Sequence, residues 1–249
     1  MGYVLITGGS AGIGLELARI FAERGHNLIL VSSCETRLKS AQKEIKTQYS
    51  VSVLAIESDL TKIDAAQNLY HYLKSTNTQI DILINNAGFG LIGDSSEIDL
   101  LKDQQLMMLN MITPVSLCKL FLNDMYRRKR GKILNIASTA AFQPGPYNST
   151  YFASKSFLLS YTRAIRHESA GKGVQVCALC PGTTKTDFFL KEGIKTPFYA
   201  MSPVKVAQAA YKGLFRNKEI IIPGIINQLV RIIPSSLKTP IVAKFKINN

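Results

Sequence analysis

Short apolar runs alternate with longer amphipathic stretches along almost the whole chain, and this pattern leaves few folds open. The runs are "YVLIT" (3–7), "NLILVS" (27–32), "VSVLAIES" (51–58), "IDILINN" (80–86), "KILNIAS" (132–138), "VQVCALC" (174–180) and "EIIIP" (219–223). Helix-length segments lie between them, at about 12–24, 36–48, 62–76, 98–128, 150–171 and 203–217. Apolar runs without polar alternation suit strands covered on both faces. Strand and helix in regular succession predict an α/β fold, a doubly wound parallel sheet of about seven strands flanked by helices. No linker rich in Ser, Pro or Gly interrupts the succession and no internal repeat appears, so one domain is expected over residues 1–249. With 46% apolar and 19% charged residues, the chain has the composition of a globular protein with a substantial core.

In sheets of this kind, ligands bind beyond the carboxyl ends of the strands. Residues with chemistry should therefore fall just after strands, and they do. "TGGSAGIG" (7–14) follows the first run and opens the first helix. Its Gly8, Gly12 and Gly14 let the backbone turn tightly and approach a pyrophosphate, with Ser10 and Ile13 beside it. The second strand should end near the ribose of a bound dinucleotide. An acid there would hold a 2′-hydroxyl, whereas small polar or basic residues admit a 2′-phosphate. The chain reads Ser32, Ser33, Cys34, Glu35 with Arg37 close by, which favours NADP(H) over NAD(H).

"SDL" (58–60) ends the third run, where Asp59 either accepts from an adenine amino group beside Leu60 or caps the next helix. "NNAG" (85–88) ends the fourth and places Asn86, Ala87 and Gly88 against a ribose. Ser138 ends the fifth. "CPGTTKT" (180–186) ends the sixth, with Pro181, Gly182 and Thr184 at the edge of the crevice. In "PGPYNSTYFASK" (144–155), Asn148 or Ser149 can cap a helix. Tyr151 then lies in its first turn with Lys155 one turn on, and Tyr147 lies before it.

The set TGxxxGIG, NNAG, Ser, Tyr-x-x-x-Lys and PG, in this order and spacing, resembles the short-chain dehydrogenase/reductase family over residues 1 to about 190. The wording around Tyr151 is similar to a bacterial branch of generic NAD(P)-dependent reductases. The resemblance implies a Rossmann-type fold and an NAD(P)(H)-dependent oxidoreductase that interconverts a carbonyl and an alcohol. It places the catalytic set on Asn110, Ser138, Tyr151 and Lys155. It also implies cofactor contacts from Tyr151 and Lys155, a water held by Asn110, and a homodimer or homotetramer paired through the long helices.

Physical chemistry is consistent with those roles. A free tyrosine titrates near pH ~10, and an ammonium one helical turn away would stabilise the phenolate. Ser138 would hydrogen-bond the substrate oxygen as charge develops on it. Two other readings stay open: a cofactor-binding redox sensor without turnover, and a reductase of acyl or other apolar ketones working at a membrane surface.

The remaining features bound the partners. A net charge of +13 favours an anionic partner such as a phosphorylated cofactor, nucleic acid or an acidic membrane, or else a solvated basic surface. The absence of aromatic interleaving or a groove-reading element speaks against nucleic acid. Cys34, Cys118, Cys177 and Cys180 are too scattered for a disulfide scaffold, and Cys177 and Cys180 read as core residues of a strand. His26, His71 and His167 are isolated, so no metal site is expected.

No uninterrupted run of about 18 apolar residues predicts a membrane-spanning helix, and the N-terminus lacks the form of a secretory signal. A cytoplasmic location follows, with peripheral membrane contact as the variant. A substrate lid is expected at about 184–202, where Phe188, Phe189, Phe198 and Tyr199 suggest an apolar cover or aromatic core packing. The tail at about 224–249 has no acids and carries Arg231, Lys238, Lys244 and Lys246 among apolar residues. Its "IINQLVRII" reads either as an amphipathic helix on a membrane surface or as a helix packed on its own domain or a partner subunit.

Overall fold

Val, Ile and Leu dominate the apolar runs, and their side chains are buried on both faces in the five central strands, whereas Leu54 on an edge strand is exposed. The computed structural model describes residues 2–188, 197, 199–231 and 233–247. Its strands are β1 (Tyr3–Thr7), β2 (Leu28–Ser32), β3 (Val53–Glu57), β4 (Ile80–Asn85), β5 (Gly131–Ile136), β6 (Val174–Leu179) and β7 (Ile220–Ile221). They form one seven-stranded sheet in the order β3-β2-β1-β4-β5-β6-β7, and every pair is parallel. The order reverses between β1 and β4, which opens a crevice at their carboxyl ends.

The helices are α1 (Gly12–Glu23), α2 (Glu35–Gln48), α3 (Ala65–Ser75), α4 (Leu100–Met107), α5 (Thr113–Arg128), α6 (Ser149–Glu168), α7 (Pro203–Phe215), α8 (Ile225–Val230) and α9 (Ser235–Ile247). One face of the sheet packs on α1, α2 and α7 through Leu17, Phe21, Leu38, Ile45 and Leu214. The other packs on α3, α5 and α6 through Leu69, Leu117, Phe121 and Ile165. Cys177 and Cys180 are buried free thiols in two different clusters, as their spacing on a strand requires.

Polar links tie neighbouring helices together. Arg19 of α1 bridges Glu16 and Glu44, and the Glu44 hydrogen bond raises the Arg19 pKa. Asp124 of α5 receives Tyr70 (3.0 Å) and Lys74 (3.3 Å) from α3.

Two expectations need correction, and two further features were not read from the sequence. The 98–128 helix is divided by a π-helical turn, Met108–Ile112, between α4 and α5. Helix α3 starts at Ala65 rather than 62, because Asp59 and Thr61 close a separate turn first. Leu100–Arg128 as a whole is long and apolar enough to cross a membrane by length and composition, with mean hydropathy 1.4 over its best window. Its Leu117, Cys118, Phe121, Leu122 and Met125 face the core, so it is spent on the sheet. Finally, the tail adds a second helix, α9, which contains Pro240.

Candidate active site

The floor of the crevice is built where β1 meets α1. Gly8 (φ 64°) and Gly12 (φ 54°) take left-handed conformations that side-chain-bearing residues rarely adopt, so the turn depends on glycine at both positions. Gly14 has a different task. A Cβ there would lie 2.2 Å from the Gly8 carbonyl oxygen and 2.5 Å from Asn86 Nδ2. It lets α1 dock under the turn, and it does not line the cavity above the floor.

Asn86 ties β4 to β1. Its Nδ2 donates to the carbonyls of Thr7 (2.9 Å) and Gly8 (3.1 Å). The N–H groups of Asn86 and Ala87 both donate to Thr7 Oγ1 at 3.0 Å. Thr7, which the motif reading passed over, is thus the hinge pin of the switch point.

Above this floor lies a cavity of about 860 Å³ along the carboxyl edge of the sheet. Its wall takes in every cofactor or catalytic residue named from the sequence except Gly14 and Asn110. At the far end, Ser10 Oγ donates to Ser32 Oγ (2.8 Å), and Ser33 lies alongside. Glu35 turns away to pair with Lys39 at 2.6 Å, so no carboxylate from the tip of β2 enters the cavity.

The Arg37 guanidinium does face the cavity, and Asp187 from the opposite wall pairs with it at 3.3 Å. Hydrogen bonds from the Arg37 backbone and side chain hold the Cys34 thiol below its usual range. Asp59 is on the wall, but its Oδ1 also accepts from Thr61 N (3.0 Å) and Oγ1 (2.7 Å). The capping reading therefore holds for the tight turn and not for α3. Leu60 is buried beside it, its carbonyl taking the Thr113 hydroxyl at 2.8 Å.

The reactive end is organised by α6. Tyr147 (φ 59°) precedes the helix, accepts a backbone bond from Gly93 (3.0 Å) and stays off the wall. Asn148 occupies the N-cap position without capping through its side chain, and lies on the wall instead.

Tyr151 and Lys155 follow on one helical face, both on the wall. Lys155 Nζ sits 5.6 Å from the Tyr151 ring centroid and donates to the carbonyl of Ile136, the last residue of β5, at 2.9 Å. It is only 5% exposed, and this burial lowers its pKa to about 8. Ser138 Oγ accepts from Ala140 N at 3.1 Å and donates to the Pro181 carbonyl at a long 3.5 Å. Its proton is readily redirected to a stronger acceptor.

Asn110 lies within the π-helical turn, 1% exposed, and behind the wall. Its Nδ2 donates to Phe89 O (2.9 Å) and Ser154 Oγ (3.1 Å), while Oδ1 accepts from Phe89 N (3.2 Å). It clamps the strand that leaves Gly88 against α6. A Cβ on Gly88 would lie 2.9 Å from Asn110 Oδ1 and 3.4 Å from Lys155 Nζ, so both side chains converge on that glycine. Asn110 positions the site from below, a role its place in a linear motif does not disclose.

The rim comes from the segments after β6 and β7. Thr184 Oγ1 donates to Gly182 O (2.9 Å), and residues 183–185 bridge to Met201 through two 2.9 Å backbone bonds. Phe188 stands 5.3 Å from the Tyr151 ring, and Tyr199 also lines the cavity. Phe189 and Phe198 lie outside the described residues. Thr186, Ile226 and Asn227 were missed by motif reading. Thr186 would crowd a Cβ on Gly12 (3.1 Å), and Asn227 fills the space beside Gly182. Only Thr186, four residues past Gly182, carried a local signal.

The residues fit a dinucleotide. A glycine cradle that side chains would fill, a helix N-terminus, an arginine at one end and a tyrosine–lysine pair at the other share one elongated wall. A family model described as short chain dehydrogenase matches residues 2–195. The chain belongs to the short-chain dehydrogenase/reductase family.

A ketoacyl reductase, HetN, of Nostoc is 32% identical over 218 residues, covering 86% of this chain and 75% of its own. Among solved structures, a short-chain dehydrogenase from Sphingobium yanoikuyae in complex with NADPH superposes with TM-score 0.86 at 29% identity, over 94% of this chain and 96% of its own. A bulky-bulky ketone specific alcohol dehydrogenase from Comamonas testosteroni reaches 0.82, also at 29% identity, over 93% and 91%. This short-chain dehydrogenase/reductase is an NAD(P)-dependent oxidoreductase that interconverts a carbonyl and an alcohol in a small-molecule substrate.

Proposed function

We propose that the protein is an NADP(H)-preferring reductase of apolar ketones, with Tyr151 as the group that gives the proton to the carbonyl oxygen. The observation that carries this is the buried Lys155 ammonium, fixed between the Ile136 carbonyl and the Tyr151 ring on the cavity wall. A bound nicotinamide supplies or accepts the hydride. Gly8, Gly12 and the N-terminus of α1 hold its pyrophosphate; Asn86, Ala87, Gly88 and Lys155 hold its riboses; Pro181, Gly182 and Thr184 edge the ring.

Ser138 donates to the substrate oxygen and orients it toward the Tyr151 hydroxyl. Lys155 is cationic below about pH 8 and stabilises the phenolate left after proton transfer. Asn110 holds Gly88 and α6 in register. Phe188 and Tyr199 cover the site with aromatic surface and exclude water, as suits an apolar substrate.

NADP(H) preference is supported by Ser33 and Arg37 at the cavity end and by Glu35 pointing away. One catalytic domain of residues 1–249, cytoplasmic and with a rim from about 184–202 and 224–249, fits this reading. Pairing into a homodimer or homotetramer is supported by Leu100, Leu101, Ile112 and Phe157, large apolar side chains exposed on the long helices. The test is a panel of ketones and aldehydes of graded size, following NADPH and NADH oxidation in parallel. Faster turnover of bulky apolar ketones with NADPH is expected; equal rates with NADH, or turnover of small polar aldehydes alone, would refute the reading.

A further inference from the structure

Helix α8 turns its apolar side to solvent, an inverted arrangement. Its polar side chains bond back to the segment before it: half-buried Asn227 donates from Nδ2 to Pro223 O (2.7 Å), and Gln228, itself exposed, from Nε2 to Ile222 O (3.0 Å). Its apolar side chains face solvent, with Ile225 76%, Ile226 77% and Leu229 60% exposed. The same inversion continues at the start of α9. Lys238 is buried, donating to the Phe142 carbonyl at 3.3 Å, while its neighbour Leu237 is 63% exposed. A helix on a water-facing surface has the opposite arrangement, and a cluster of large exposed apolar side chains points to an interaction site.

The patch adjoins the cavity, because Ile226 belongs to both and Tyr199, also exposed, lies on the same rim. Its exposed charges are cationic, Arg231 and Lys244, and beyond Glu219 the sequence has no acid. A second copy docking here through a two-fold axis would bring these like charges together. An anionic bilayer complements both the apolar face and the charge.

We infer that α8 and the start of α9 dock this protein on an anionic membrane surface, with the cavity mouth against the bilayer so that apolar substrate enters from the lipid. The entry step rests on the proposed apolar substrate; the docking does not. The test is flotation of the full chain with vesicles of phosphatidylcholine, with and without phosphatidylglycerol, at low and high salt. Flotation with anionic vesicles, weakened by salt and absent with neutral ones, is expected.

The double variant Ile225→Asp/Leu229→Asp should lower the bound fraction by about tenfold or more while keeping NADPH binding and vesicle-free turnover of a water-soluble aldehyde. Lys244→Glu, at an exposed position, should weaken flotation without touching the fold. Wild-type protein that stays with the soluble fraction would overturn the docking. So would an Asp double variant that floats normally but changes oligomeric state, which would assign the patch to another protein chain. Docking without faster turnover of a lipid-dissolved ketone would overturn only the entry step.

Discussion

The floor and the rim of this site obey opposite rules. On the floor, polar side chains are buried and meet backbone partners: Asn86 the carbonyls of Thr7 and Gly8, Asn110 both polar groups of Phe89, Lys155 the carbonyl of Ile136. On the rim, Asn227 of α8 is half-buried while large apolar side chains of the same helix face out. A buried polar group must be satisfied, so the floor has one arrangement and any change in it is costly. Exposed apolar groups impose no such uniqueness. The floor therefore fixes the chemistry, and the rim fixes what reaches it.

The contrast predicts large effects at the reactive end of the floor and graded ones outward. Tyr151→Phe should lower turnover by about 10²- to 10⁴-fold, the range of general acid catalysis, with NADPH affinity retained. Tyr147→Phe, off the wall, should leave the rate nearly intact. Steady-state kinetics beside cofactor-fluorescence titration separates these effects, and an active Tyr151→Phe enzyme would break the assignment.

Arg37→Ala should weaken NADPH binding by about ten- to a hundredfold, the value of a charge-assisted hydrogen bond, and NADH binding far less. Equal losses for both cofactors would show that Arg37 does not read the 2′-phosphate.

The pH dependence follows from Lys155. Its folded pKa of about 8 lies below the ordinary 10.5, so the ammonium is present below about pH 8 and lost above it. Reductive kcat/KM should fall above about pH 8, approaching tenfold per unit, when assayed across pH 6–10. Stability carries the opposite sign. The unfolded chain binds the extra proton between about 8 and 10.5, so this group's burial penalty is relieved as pH rises through that window.

The smallest effect belongs to the rim. Asp187 and Arg37 are both about half exposed, and such pairs contribute about 0.2–1 kcal/mol. Asp187→Asn frees Arg37 for a phosphate and should tighten NADPH binding by only about two- to fivefold, read as a lower KM for NADPH alone. A hundredfold change would mean that the rim is as tightly coupled as the floor.

How much of this was legible beforehand differs by region. Gly8, Ser138, Tyr151, Lys155 and Gly182 each sit where a strand ends or a helix begins, so a linear string of residues already marks them. Spacing within α6 separates Tyr151 from Tyr147 without coordinates. Thr7 was overlooked, and the contacts that Gly14 and Asn110 make were not legible, because they join residues distant in sequence. Asn110 reaches 21 residues to Phe89 and 44 to Ser154. Periodicity also hid the π-helical turn that aims it, since the extra residue alters register without altering composition.

By itself, then, the amino-acid order determined the doubly wound sheet, the strand-end placement of the reactive groups and the tyrosine–lysine pair. These depend on hydrophobic period and helical spacing, which are local. Only the tertiary structure decided that Asn110 stands behind Gly88, that Arg37 pairs with Asp187 across the cavity, and that α8 shows its apolar side to solvent. An amphipathic pattern says that a helix has two faces. Which face turns inward is set by what the rest of the chain offers it, and here the backbone carbonyl of Pro223 took Asn227 and left the apolar side chains outside.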